Sequence, residues 1–177
     1  MAERLFGGGR RFGAYTCGPK YCRELMCLGV CGLTTGSVST DSLIGFFRRI
    51  ATSEALYHDI DTGDCYPILL HCEVMAALGP CLKQLASGVQ VQLCGIFGAM
   101  PDGHFGHFLR EELLGSLAAE ARALLAERLL SMEDRALEPV VTAALLDLLG
   151  SEACIFKPDV KLCLIAAATP ELSDEGF

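Results

Sequence analysis

Tryptophan is absent from the 177 residues of this chain, and aromatic residues together make up only 7%. Proteins that bind single-stranded nucleic acid usually stack the bases on exposed aromatic rings, so few side chains are available for that purpose. No apolar run approaches the roughly 20 residues that a membrane-spanning helix needs. The N-terminus has no apolar stretch of signal-peptide length. Together these absences predict an intracellular protein with no membrane segment.

The common motifs of enzyme chemistry are also missing from the sequence. There is no glycine-rich phosphate loop of the Walker or dinucleotide-binding type, and there is no G-x-S-x-G nucleophile elbow. We therefore predict no catalytic residue and no cofactor, and we expect a protein that is not an enzyme. Catalytic groups scattered along the chain would leave no motif, so an enzyme stays an alternative.

Apolar residues are plentiful, and charge is unevenly distributed. Hydrophobic residues make up 51% of the chain and charged residues 20%, which is ample material for a core. The net charge of -8 divides into +4 for residues 1–50 and -12 for residues 51–177. Any polyanion would have to meet the N-terminal third, whereas nucleic-acid-binding domains tend to be basic overall.

The ten cysteines raise the question of disulfides or a metal. Most of them lie in or near apolar runs, as buried reduced thiols do. Four are clustered near the N-terminus: Cys17, Cys22, Cys27 and Cys31. Their spacing lacks the paired C-x2-C arrangement of zinc knuckles, so we predict no metal site. A metal-dependent enzyme that uses the cysteines, or His104 with His107, stays an alternative.

The clearest strand pattern covers residues 88–98. Val89, Val91 and Leu93 share one side of an alternation and Gln90 lies on the other, which predicts a strand that buries one face. Glycine inside a strand usually marks a bulge or a bend. A bent strand favours a small closed barrel over a flat sheet.

Other segments extend the barrel hypothesis. Strands are predicted at residues 23–34, 43–57, 65–74 and 104–109. Residues 43–57 also have the spacing of a helix that Ser39, Thr40 or Asp41 would cap, and we adopt the strand here. Residues 74–85 predict a helix that Pro80 shortens or kinks.

The C-terminal part of the sequence has a helical character. Leucines recur on one stripe over residues 110–130, which predicts a helix there. A second helix is predicted to end at Gly150, and two short strands are predicted within residues 153–168. The remaining predictions concern domain organisation: a flexible Gly/Arg-rich tail at 1–13, a single α+β domain at 14–169 and an acidic tail at 170–177.

The order of these parts resembles the oligonucleotide/oligosaccharide-binding (OB) fold, as found in the small subunits of replication protein A-like genome-maintenance complexes. Residues 57–64, Tyr-His-Asp-Ile-Asp-Thr-Gly-Asp, match the turn that joins strands two and three of that fold. Residues 88–97 match the G-x-x-V-x-v-x-G strand that follows its linker helix. The resemblance covers residues 23–110. It implies a small OB-like β-barrel followed by two C-terminal helices and a short terminal β-hairpin, and it implies a nuclear protein.

Two sets of side chains are candidates for binding. The first would stack bases and hold phosphate: Phe46, Phe47, Arg48 and Arg49. A place in the core is the alternative for the two phenylalanines. The second belongs to a wide leucine stripe, and leaving several leucines in water costs several kcal/mol at about 25 cal/mol per Å². Either a partner covers this stripe, or residues 140–149 and the barrel do. Its members would face a protein partner: Leu113, Leu117, Leu124, Leu125 and Leu129.

We therefore expect a non-catalytic adaptor or structural subunit of a protein complex, acting in DNA replication or repair through its leucine-rich helices. Its partner would be another protein or a second copy of the chain. Direct binding of single-stranded nucleic acid is an alternative. A metal-dependent enzyme is another, and so is a helical host-interaction protein whose N-terminal half only mimics strand patterns.

Overall fold

The computed structural model describes residues 18–52, 55–58, 63–109, 111–131 and Pro158. In chain order, its elements are α1 (Pro19–Thr34), α2 (Thr40–Ala51), β1 (Leu56–His58), β2 (Cys65–Pro67), a 3-10 turn (Ile68–Leu70), α3 (Cys72–Leu82), α4 (Ser87–Gly98), α5 (Asp102–Phe108), α6 (Glu111–Leu114) and α7 (Ala119–Leu130).

The prediction of an OB-like β-barrel is wrong. The described residues are mostly helical, and their one sheet has two antiparallel strands, β1 and β2. The predicted strand at 23–34 lies in α1, most of 43–57 lies in α2, 88–98 lies in α4 and 104–108 lies in α5. Of the predicted strand at 65–74, only β2 forms a strand. The α+β barrel class is therefore replaced by a helical fold with a small hairpin.

The error over residues 88–98 has a physical cause. Helix α4 packs against both α2 and α7, so apolar residues occur on more than one of its faces and the usual amphipathic stripe is weak. A short apolar segment of this kind cannot be assigned by periodicity alone. Its buried residues Gln90, Leu93, Cys94 and Phe97 follow helical spacing. Gln90, which the alternation placed on the polar side, is only 4% exposed.

Helix α2 forms because its ends are well specified. The Ser39 hydroxyl oxygen accepts a hydrogen bond from the Ser42 amide at 3.2 Å, which satisfies one of the free N–H groups of the first turn. Arg48 and Arg49 lie in the last turn, where positive charge interacts favourably with the helix dipole. The helical alternative for residues 43–57 is therefore the correct one for residues up to Ala51.

The turn between α1 and α2 depends on a glycine. A Cβ atom added to Gly32 would lie 2.5 Å from Cγ2 of Val38, which is closer than such atoms approach in proteins. The Gly32 carbonyl also accepts hydrogen bonds from the amides of Ser37 and Val38. Glycine therefore lets the buried Val38 side chain close the corner against α1.

The β-hairpin pairs Tyr57 with Tyr66 across its two strands. Gly63, in the segment predicted as a tight turn, has φ of +77°, a left-handed conformation that glycine adopts without strain. The chain then enters the buried 3-10 turn, and His71 caps α3 because its Nδ1 accepts a hydrogen bond from the Glu73 amide at 3.3 Å.

The predicted helix over residues 74–85 corresponds to α3, which contains Pro80 near its C-terminal end. The predicted helix over 110–130 is divided into α6 and α7. The division is stabilised by Gln90, whose side-chain oxygen accepts a hydrogen bond from the Ala118 amide just before α7 begins. The Gln90 amide nitrogen donates to the carbonyls of Leu82 and Leu85, at 2.7 and 3.1 Å. One buried side chain thus joins the ends of α3 and α7 to α4.

Arg128 makes a second connection, from α7 to the C-terminal end of α4. Its Nε donates to the Gly98 carbonyl at 2.7 Å and its Nη2 donates to the Met100 carbonyl at 3.3 Å. The same guanidinium forms an ion pair with Asp102 and lies 5.3 Å from the centre of the Phe105 ring. This planar group therefore satisfies two helix-end carbonyls and one carboxylate at once.

The core is one cluster of buried residues to which helices α1 to α7 contribute, and its part between α2, α4 and α5 is rich in phenylalanine. The rings of Phe47 and Phe97 have centroids 5.9 Å apart, and those of Phe97 and Phe108 are 4.7 Å apart. Within the described part of the chain, no helix has the length and apolar character needed to span a bilayer. The predicted tails at 1–13 and 170–177, the second C-terminal helix and, apart from Pro158, the strands within 153–168 lie outside the described residues.

Candidate ligand-binding groove

A groove of about 770 Å³ lies between the C-terminal end of α2, the β-hairpin, α4 and the start of α5. Its walls are mainly apolar and include Leu56 and Pro67 from the hairpin, Ile96 from α4 and Met100 from the following turn. Pockets that bind ligands in proteins are commonly of this size and are lined mainly by apolar side chains with a few polar groups.

The floor of the groove is formed by one face of α4. Gln92, Gly95, Ile96 and Ala99 line the groove, and they recur at the spacing of a single helical face. A Cβ atom added to Gly95 would meet no atom within 4 Å, because the space above this glycine is open. Small side chains on this face therefore create the depression.

Arg48 supplies a positive charge at the edge of the groove. It lies in the last turn of α2, its side chain is exposed, and it forms no ion pair with any described residue. The guanidinium has five N–H donors arranged in a plane that matches a carboxylate. An apolar ligand that carries a carboxylate would therefore complement both the walls and the edge of this groove.

Histidine and tyrosine rings border the groove on the hairpin side. His104 lines it and makes an edge-to-face contact with Tyr66, with ring centroids 5.7 Å apart. Its Nδ1 is buried and has no hydrogen-bond partner among the described residues. The rings of Tyr57 and His71 extend the cluster, at a centroid separation of 5.0 Å. His107 also contacts Tyr66, at 6.4 Å, so the predicted histidine pair is part of a ring cluster.

The predicted nucleic-acid patch is not assembled as a surface. Phe46 and Phe47 are buried, and their rings contact each other at 5.7 Å between centroids. Buried rings are not available to stack on bases. Arg49 is half-buried and Arg48 is exposed. Of these four residues, Arg48 is the one that lines the groove.

The predicted partner-binding leucines lie mainly inside the chain's own fold. Leu124 is 39% exposed, and the other four are buried: Leu113, Leu117, Leu125 and Leu129. Helix α7 packs closely against α4, which covers much of the stripe that the sequence left without a neighbour. The barrel hypothesis assigns the residues of α4 to a strand, so it leaves out the helical surface on which these leucines pack.

Every cysteine among the described residues is a free thiol. Cys94 is buried in α4, and burial raises the pKa of its thiol to about 12. Cys22 is also buried, whereas Cys27, Cys31 and Cys72 are exposed, so buried thiols are fewer than the apolar runs predicted. No group of three or more metal-ligating side chains occurs in the described part of the chain. Cys17, the first of the predicted cluster, lies outside it.

Sequence reasoning did not identify the groove. Gln92, Gly95 and Ala99 fall on one helical face, and that spacing is the signal that would have found it. Reading residues 88–98 as a strand placed Gln92 and Gly95 on opposite faces of a sheet. Comparison with models of protein families, with curated proteins and with solved structures finds no match. These comparisons therefore neither support nor contradict the OB-family resemblance.

Proposed function

We propose that this protein is an adaptor or complex subunit that binds a segment of a protein partner in the groove between α2, the hairpin, α4 and α5. The segment presents an apolar face and carries an aspartate or glutamate at one end of that face. The observation that supports this proposal is the combination of a 770 Å³ apolar groove with the Arg48 guanidinium at its edge, which forms no ion pair with a described residue.

The apolar part of such a partner would supply most of the affinity. Removing apolar surface from water contributes about 25 cal/mol per Å², and peptide segments commonly use this by placing spaced apolar residues into a groove between helices. The groove floor between Gly95 and Ala99 accepts a large side chain because neither residue fills the space above α4.

The charged part of the partner would set its orientation. An exposed ion pair contributes little free energy by itself, but charge complementarity selects partners and fixes their register in a binding site. The chain is acidic overall, and a cation at the groove edge therefore lowers the repulsion that an acidic segment would meet there.

A library of displayed peptides of random sequence tests the proposal directly. We expect the purified protein to select peptides with apolar residues at helical spacing and an acidic residue near one end. Arg48→Glu reverses the edge charge and should weaken binding of those peptides severalfold. Gly95→Leu fills the floor of the groove and should abolish peptide binding.

Lys20→Glu is the matched control, because it makes the same charge reversal at an exposed position of α1 that does not line the groove. It should leave binding unchanged. Peptides without an acidic preference, or equal losses in Arg48→Glu and Lys20→Glu, would contradict the proposal. Circular dichroism of each variant verifies that the helices are retained.

The wider assignments stay predictions. A role in DNA replication or repair and a nuclear location were drawn from the OB-like pattern. Binding of single-stranded nucleic acid would have to use Arg48 without the rings of Phe46 and Phe47, which are buried. A helical host-interaction protein is the alternative whose expected fold agrees with the described helices.

A further inference from the structure

Two cysteines on neighbouring helices face each other away from the groove. Cys27 lies on α1 and Cys81 lies on α3, and their Sγ atoms are 3.7 Å apart. The two helices pack closely along their lengths. Cys27 is exposed to solvent, whereas Cys81 is only 3% exposed. One thiol is therefore accessible to a reagent, and the other lies directly behind it.

We propose that Cys27 and Cys81 form a reversible disulfide when the protein meets a hydroperoxide, and that this bond fastens α1 to α3. A disulfide requires an S–S separation of about 2.05 Å, which small side-chain rotations reach when two sulfur atoms already lie in contact. The inference is independent of what the groove binds.

The reaction proceeds in two balanced steps. First, the Cys27 thiolate attacks one oxygen of the hydroperoxide, the O–O bond breaks, and the products are a sulfenic acid on Cys27 and an alcohol or water. Then the Cys81 sulfur attacks the Cys27 sulfur, the S–O bond breaks, and the hydroxyl leaves as water with the Cys81 proton. The two thiols lose two electrons in total, and the hydroperoxide gains them.

The two sulfur atoms have different surroundings, which determine which of them reacts first with the hydroperoxide. Burial is the main reason that the pKa of Cys81 rises to about 12, and the nearby Cys27 sulfur raises it further. Cys81 is also shielded from solvent behind Cys27, so it is the less reactive of the two thiols towards an oxidant in solution. Cys27 is the residue that meets the oxidant, and Cys81 is the residue that resolves the sulfenic acid.

The disulfide would change the stability of the fold. It closes a loop of 54 residues, and a cross-link of that span lowers the entropy of the unfolded chain. For a chain of this length we expect the melting temperature of the oxidised protein to exceed that of the reduced protein by about 5–10 °C. The weak ion pair between Arg23 and Glu73, at 3.9 Å, is another contact between these helices that oxidation would reinforce.

Mass spectrometry identifies the bond. The full-length protein is reduced, freed of reductant and treated with a small excess of hydrogen peroxide, and its mass should fall by two hydrogen atoms. Cleavage with trypsin and a glutamate-specific protease isolates Cys81 in the peptide 74–83, and it isolates Cys27 with Cys31 in the peptide 25–48. We expect these two peptides to be joined, and a thiol reductant to separate them.

Variants assign the partner and the order of reaction. Cys27→Ser should abolish the cross-link and the gain in melting temperature, whereas Cys31→Ser, an exposed cysteine one helical turn away, should retain both. In Cys81→Ala, dimedone should trap a sulfenic acid on Cys27. Failure to join the two peptides would overturn the proposal. So would a cross-link that survives in Cys27→Ser or an oxidised protein that melts no higher than the reduced one.

Discussion

Gln90 offers the sharpest test of the helical arrangement, because its environment differs completely between the strand hypothesis and the structure. In a half-buried strand it would point to solvent, and replacing it would have little effect. In the structure it is buried in α4 and bonds to the Leu82 carbonyl, the Leu85 carbonyl and the Ala118 amide. Gln90→Met retains the length of the side chain and removes only these hydrogen bonds.

The expected loss follows from the groups that Gln90 serves. The Leu82 carbonyl keeps a hydrogen bond from the Leu85 amide at 3.0 Å, so it is not left without a partner. The Leu85 carbonyl and the Ala118 amide lose the bonds that Gln90 supplies, and a buried polar group without a partner costs about 1–3 kcal/mol. The hydrogen bond of the Ala118 amide is only partly buried. The cost for the two groups together therefore lies in the lower part of the range obtained by adding their separate costs. We expect Gln90→Met to reduce the free energy of unfolding by about 2–3 kcal/mol.

Urea unfolding followed by far-ultraviolet circular dichroism measures this difference. Gln92→Met is the matched control, since Gln92 lies in the same helix and is exposed. It should change the free energy of unfolding by no more than about 0.5 kcal/mol. If Gln90→Met were as stable as the control, Gln90 would not connect the three helices, and the arrangement of α4 between them would be refuted.

Three further substitutions probe other contacts. Arg128→Lys should lower the free energy of unfolding by about 1–3 kcal/mol in urea titrations, because one ammonium cannot replace a planar group that serves several acceptors. Arg23→Lys, at an exposed ion pair, should leave the free energy of unfolding unchanged. Equal effects of the two substitutions would contradict this reasoning. Gly32→Ala should lower the melting temperature, because the added methyl group clashes with the Val38 side chain. Gly45→Ala should raise the melting temperature, because its methyl group meets no atom and alanine favours the helix. Burial raises the pKa of Cys94 from 9.0 to about 12. The contribution of this neutral thiol to stability is therefore full below pH 9 and is lost as the pH rises towards 12. Between about pH 8 and about pH 10, the free energy of unfolding of the wild type should fall by about 1 kcal/mol more than that of Cys94→Ala, and parallel curves of stability against pH would disprove this.

The parts of the fold that sequence predicted share a local cause. Pro80 predicts a short helix at α3, and Ser39 favours the helical alternative for residues 43–57 over the predicted strand. Gly63, in the segment predicted as a tight turn, has the positive φ that glycine adopts without strain. Each of these features depends on residues close together in the chain, where backbone geometry and capping decide the outcome.

The parts that sequence missed depend on tertiary packing. Whether residues 88–98 form a strand or a helix is decided by α2 and α7, which surround that segment, and no local pattern contains them. Tertiary packing also buries four of the five leucines that were assigned to a partner: Leu125 lies on α7, which packs against α4, and Leu113 lies on α6, which contacts α3. The groove could not be predicted once residues 88–98 were assigned to a strand, since its floor forms only when Gln92, Gly95 and Ala99 share one helical face.

Hydrogen–deuterium exchange with a selected peptide bound tests the central claim most directly, namely that the groove is where this chain meets its partner. The account predicts that peptide slows exchange in α4 around residues 92–99, in the hairpin and at the end of α2, and that Gly95→Leu removes this protection. Protection confined to α1 and α3, or protection that persists in Gly95→Leu, would contradict it.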